Sequence, residues 1–337
     1  SMDSLTHIAI GACIGELFLG KKIGKKAMLY GAIAASLPDI DFIASFWMNT
    51  PDDLLAHRGF THSFLFAFLV IILFAIFFRK RYTAEGISIK TWLGFLGAEI
   101  FSHIFLDAFN AYGIGWFEPF SHFRISFNII FVADPFFFIW PGIAAVCLLL
   151  LHRNGKKRRR IAKFGLIFCS LYFLYCISNK FRIDNKTRYT LIRQGIHYNR
   201  YFTTPTLLNN WLWYVVAESD SGYLIGYCSV FDKNEEIEFR YFPRNDSLLK
   251  PWNGQRDLHK LIRFSQGYYT AEISDRGIVF NDLRLGQIMG WQNSDAGFVF
   301  HYYLNDPAAN HLVIQRGRFA NWNWISLKGF IHRIRGN

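Results

Sequence analysis

Apolar runs of about 20 residues, the length a bilayer hydrocarbon core requires, occur in the first 178 residues of this 337-residue chain and not after them. Segments 61–78, 91–109, 129–151 and 161–178 read as spanning helices. A shorter pair, 5–20 and 26–38, is joined by a basic turn from Lys21 to Lys26 and reads either as two short spans or as a hairpin dipping into the bilayer. The first of these readings gives about six spans. After residue 180 the pattern changes to short stretches rich in aromatic and β-branched residues, 223–230, 236–242, 268–273, 277–280 and 297–303, broken by Asp, Asn, Gly and Pro turns, a strand signature. The expected fold is an α-helical polytopic membrane domain over residues 2–180, followed by a soluble β-rich domain over 181–337. Ser1 before Met2 reads as the remnant of a tag, and the first apolar segment, which lacks a basic leader, is expected to stay in the protein.

A net charge of +12 would ordinarily suggest a nucleic-acid partner. The placement of the charges argues otherwise. In the first half every Lys and Arg except Arg58 and Arg124 falls in 21–26, 79–90 or 153–163, at alternate ends of successive spans. That is the positive-inside pattern, and it predicts that the 39–60 and 110–128 loops and everything after 180 lie outside the inner membrane. No nucleic acid is expected. Five cysteines, four of them in apolar runs, make neither a disulfide framework nor a Cys-rich zinc site. Six tryptophans of the second half, at 211, 213, 252, 291, 322 and 324, could line a head-group or glycan groove but fit a domain core better.

On this topology the unusual polar residues gather at one level. His7 opens the first segment; Asp39 and Asp41 follow the second in Leu37-Pro38-Asp39-Ile40-Asp41; His57 and His62 lie in His57-Arg58-Gly59-Phe60-Thr61-His62-Ser63; His103 and Asp107 share a helix face four residues apart; Asp134 precedes Pro135. Ionisable groups in or beside a spanning helix are costly and by default mark a functional site. Imidazole with carboxylate is the donor mixture for zinc or manganese in a hydrolytic centre, and a pool of eight such groups, His7, Asp39, Asp41, His57, His62, His103, Asp107 and Asp134, suggests two or three ions. Taken singly, each has a plain structural alternative, such as a helix cap at Asp39 or an interfacial anchor at Arg58. Glu99, one turn deeper than His103, reads as a general base, as a partner orienting His103, or as a buried carboxylic acid, the second being favoured.

These motifs, with Asp3-Ser4-Leu5-Thr6-His7, Leu106-Asp107-Ala108, Pro119-Phe120-Ser121 and Arg124, resemble the YdjM-like inner-membrane proteins, described as membrane-bound metal-dependent hydrolases. The resemblance covers about residues 2–180 and extends, more distantly, to zinc-dependent phospholipase C, where a His-x-x-x-Asp pair like His103 and Asp107 helps hold the zinc cluster. It implies hydrolysis in the membrane. Combined with a site at the outer interface, it points to a phosphoester of a membrane lipid, cut in the manner of a phospholipase C or a lipid phosphatase. Asp39, Asp41, His57 and Glu99 are then the candidate catalytic groups, and Arg58 and Arg124 the head-group contacts, because a guanidinium fork suits phosphate. An ester or amide hydrolase and a non-enzymatic ion-binding or transport protein are the alternatives; a relay would place ionisable groups at several depths, as only Glu16 and Glu99 do.

Overall fold

The computed structural model describes residues 4–151, 155–306, 310 and 322–336. Asp3 and Arg153 fall outside them. The chain divides into two units. One runs to Trp47 and takes in Ala56–Phe127 and Val132–Tyr175; the other takes Met48–Leu55, Asn128–Phe131 and the described residues from Cys176 onward.

The first unit is helical: α1 (Ser4–Ile23), α2 (Lys26–Ala35), a 3-10 segment (Pro38–Phe46), a 3-10 turn (Phe60–His62), α4 (Phe64–Arg81), α5 (Ile89–Asp107) and α6 (Pro135–Leu150). The short α3 (Thr50–Ala56) belongs, but for Ala56, to the second unit. Helix α7 (Gly155–Arg193) starts in the first unit and ends in the second. The caps are legible in the sequence. Ser63 accepts from the Phe66 amide to start α4, Ser88 accepts from Thr91 to start α5, and Asp134 accepts from Phe136 and Phe137 to start α6, with Pro135 at the position where proline costs no hydrogen bond.

The expectation of about six spans does not hold. Among the described residues one helix, Gly155–Arg193, is long and apolar enough to cross a membrane, or two if Thr50–His62 and Phe64–Arg81, bent by 51°, count as one broken span; Pro135–Leu150 is apolar but shorter. The reason is physical. Helix α2 has only 10 residues, about 15 Å against a core of about 30 Å. Helices α1 and α5 are long enough but fall short in composition, with Glu16, Lys21 and Lys22 in the first and Lys90, Glu99, His103 and Asp107 in the second. Arg158, counted with the basic topology cluster, is buried, in an ion pair with Glu16 of α1.

Helices α1 and α2 touch backbone to backbone. His7, Gly11 and Gly15 form one stripe of α1 at four-residue spacing, and Ala27, Gly31 and Ala35 form its counterpart on α2. A Cβ on Gly31 would stand 2.0 Å from the Gly11 carbonyl oxygen, and one on Gly15 would stand 2.2 Å from that of Ala27. Small residues at this spacing are what let two helices approach so closely.

The second unit holds two antiparallel sheets. One has the order β1 (Arg200–Pro205), β2 (Leu212–Glu218), β3 (Gly222–Ser229), β4 (Phe239–Pro243); the other has β5 (Tyr269–Ser274), β6 (Gly277–Gln287), β7 (Phe298–Tyr303). Helix α8 (Arg256–Phe264) precedes β5, and α9 (Trp324–Ile334) follows. The β-rich reading stands, but β1 and β2 have no counterpart among the expected strands. Every residue of β2 is buried, so it reads as an unbroken apolar run without the alternation that marks a one-faced strand.

Candidate metal centre

Four side chains from three separate stretches of sequence meet in the first unit: Asp39 from the 3-10 segment after α2, His62 from the 3-10 turn before α4, and His103 with Asp107 from the last two turns of α5. Asp39 Oδ1 lies 3.6 Å from Nε2 of both histidines. Asp107 Oδ2 lies 3.3 Å from His62 Nε2 and 3.6 Å from His103 Nε2. The two Nε2 atoms are 3.2 Å apart. An ion held tetrahedrally by bonds of about 2.0–2.1 Å has donor atoms about 3.3–3.4 Å apart, and these five separations are close to that, with all four donor atoms within 4.8 Å of one another.

The outer faces of the four groups are already engaged. His103 Nδ1 donates to the Ala35 carbonyl, and a carbonyl only accepts, so Nε2 of the neutral ring carries the lone pair. His62 Nδ1 faces Asp41 Oδ2 at 3.4 Å and Thr61 Oγ1 at 3.0 Å; the carboxylate likewise leaves the lone pair on Nε2. With both rings neutral, two lone pairs face one another; with both doubly protonated, two N–H groups do. Either one shared proton, as an N–H···N hydrogen bond, or a cation between the rings resolves this, and the two carboxylates beside the rings make the donor set fit a cation. Asp39 accepts from Ser4 Oγ through Oδ2. Asp107 Oδ1 meets His7 Nε2 at 3.3 Å and Arg58 Nη2 at 3.1 Å, while the His7 ring stacks on His103 with centroids 3.8 Å apart.

Asp41 sits behind His62 and accepts the Arg58 amide at 2.7 Å through Oδ2, with His57 Nδ1 3.4 Å from Oδ1. Burial opposes its ionisation, but His57 and His62 beside it and the Arg58 amide outweigh that and hold its carboxyl below the ordinary range. His57, with about a third of its side chain exposed, is the more open of this pair. Arg58 itself has a left-handed backbone (φ 59°), a conformation that costs energy in a residue with a Cβ and persists where surroundings impose it. Here they do. Asp41 holds its amide, and its carbonyl accepts from Gly115.

Both arginines expected at a head group are buried. Arg58 reaches Asp107 and lies over the Tyr112 ring. Arg124 donates to the carbonyls of His57 and Gly113, tying the 113–125 loop to the turn that carries Arg58. Glu99 is fully buried, with no hydrogen-bond partner for either oxygen among the described residues, close against Gly31; the Ala35 carbonyl, not Glu99, orients His103. Asp134 is occupied elsewhere, capping α6 and accepting from Tyr172 Oη at 2.9 Å. Asp134→Ala should therefore lower stability by about 1–2 kcal/mol and leave metal content unchanged, read by a thermal melt beside elemental analysis. Metal content falling in step with that of a His62 variant would place Asp134 among the ligands.

Ser4, Thr61 and the Ala35 carbonyl had not been singled out from the sequence. Ser4 and Thr61 lie inside the motifs quoted above, which was the available signal; a backbone carbonyl leaves none.

Comparison with known proteins shows the family. The sequence profile described as YdjM inner membrane protein matches residues 2–183, the stretch that carries all these groups. Inner membrane protein YbcI of Escherichia coli (strain K12) is 39% identical over 137 residues, 39% of this chain and 76% of that protein. The protein YfhP of Bacillus subtilis (strain 168) is 32% identical over 181 residues, 51% of each chain, so the present chain spans about half the length of that relative. No solved structure matches. With the profile spanning more than half of its length and every member of the four-residue cluster inside the match, the chain belongs to the YdjM inner membrane protein family.

Proposed function

We propose that this protein is a membrane-bound hydrolase that uses one divalent ion, zinc by its donor set, on Asp39, His62, His103 and Asp107, and cleaves a phosphoester of a membrane lipid. The observation that carries the proposal is the 3.2 Å approach of two imidazole Nε2 atoms whose Nδ1 sides are both engaged. Two or three ions were expected from eight donors. One suits this geometry better, because the Arg58 guanidinium already supplies the positive charge on the outer oxygen of Asp107.

When bound, a divalent cation supplies Lewis acidity, lowering the pKa of water and polarising the bond under attack. The protein does the rest. Asp41, Ser4, His7 and the Ala35 carbonyl fix the four donors before substrate arrives, as the outer partners of metal ligands do. His57, oriented by Asp41 and partly open, is the group to deliver a proton to the departing oxygen as water attacks phosphorus and the ester P–O bond breaks, and the proton released by that water restores His57. Glu99 takes no step. Support for a lipid substrate comes from the ligand-bearing 3-10 segment, which exposes Phe42 and Phe46 and is followed by exposed Trp47, with Phe117 and Phe120 exposed on the loop tied to His57.

The test is incubation of purified, zinc-supplemented protein with a bacterial lipid extract, read by mass spectrometry. A phosphorylated head group indicates phospholipase C chemistry and free phosphate a lipid phosphatase. Fatty acid alone, or no product with any divalent metal, overturns the proposal. His57→Gln should lower kcat by about 10²–10⁴ and leave bound metal unchanged.

A further inference from the structure

Helix α9 (Trp324–Ile334) carries apolar side chains on two sides, and among the described residues only one side is packed inside the protein. On its inner side Phe330 is buried among Leu207, Leu212, Trp291 and Trp322, its ring 4.5 Å from that of Trp291. Arg333 donates to both oxygens of Asp232 and to the Tyr227 carbonyl. Asn323 caps the start by accepting from the Ser326 amide. The helix is therefore held firmly, and its outward side chains are presented on a fixed frame.

The outward stripe is Trp324, Ile325, Lys328, Ile331, His332 and Arg335, the i, i+1, i+4, i+7, i+8, i+11 series of a single face. Trp324 is 67% exposed and Ile325 73%. A surface helix normally turns polar residues outward, and one that is apolar on both sides has something covering it. The charges indicate what. The helix contains no Asp or Glu, and Lys328, His332 and Arg335 stand in the same stripe as the three large apolar side chains. A second copy meeting this face across a two-fold axis would set like charges against each other. An anionic lipid surface meets both demands: it takes Trp and Ile at the acyl boundary and pairs with cations at head-group level. Lys328, its ammonium 5.5 Å from the Trp324 ring, has the apolar stem that reaches such a boundary.

We infer that α9 lies on an anionic phospholipid surface as an interfacial helix, a second lipid contact separate from the metal centre and independent of what that centre does. The test uses the full chain carrying Ile325→Cys labelled with a polarity-sensitive dye, reconstituted in nanodiscs of phosphatidylcholine alone or with phosphatidylglycerol. Unsubstituted protein, labelled in parallel, supplies the background from native cysteines. The expected result is quenching by doxyl-labelled lipid and protection from aqueous iodide, both stronger in the anionic discs. Lys328→Glu with Arg335→Glu should weaken docking roughly fivefold for each charge removed, with the thermal melt unchanged. A dye open to iodide in both discs, quenching equal in the two, or protection that depends on protein concentration would each overturn the inference, the last by assigning the face to a second copy.

Discussion

His103→Ala is expected to strip the protein of bound metal and of hydrolytic activity together. His103 is the group whose two nitrogens are both committed, one to the Ala35 carbonyl and one to the central cluster, so no rotation of a neighbour restores its donor atom. Loss of outer partners alone costs about 10–100-fold in metal affinity, and loss of a direct ligand should exceed that. Asp107→Asn should be worse for folding. It removes the carboxylate facing buried Arg58, a change that costs about 3–5 kcal/mol. Elemental analysis, metal titration and a thermal melt on both variants separate the two effects. Metal content equal to wild type in His103→Ala would refute the centre.

The second large effect is expected at a residue that touches no ligand directly. Gly31→Val should abolish metal binding or prevent folding, because its Cβ would stand 2.0 Å from the Gly11 carbonyl oxygen and forced overpacking of a tight contact costs about 1–3 kcal/mol or more. Separating α1 from α2 also moves His7 away from Asp107 and the Ala35 carbonyl away from His103. The control is Leu29→Val, an exposed position on the same helix, which should bind metal as wild type does. Equal metal binding by both variants would show that the close approach of the helices does not set the site.

The ligand types were legible because ionisable groups are conspicuous in apolar sequence: Asp39, His62, His103 and Asp107 stood out from their surroundings alone. Their division of labour was not. Asp41 and Asp39 are two residues apart in one motif, yet one faces the cluster and the other backs His62; only the path of a 3-10 segment separates them. Asp134 looked equivalent until its capping of α6 was visible. The span count failed for a different reason: α2 is only 10 residues long, and the polar residues inside α1 and α5, Glu16, Glu99 and His103 among them, lower the mean hydropathy of helices that look apolar at a glance.

The four clustered residues lie between positions 39 and 107 of a 337-residue chain. An ion joining them ties off long loops, and its binding energy becomes folding energy. During synthesis the last of these donors emerges before any strand of the β-rich unit has been made. Were the proposed ion bound there, its supply would act on the folding of the first unit before the β-rich strands exist.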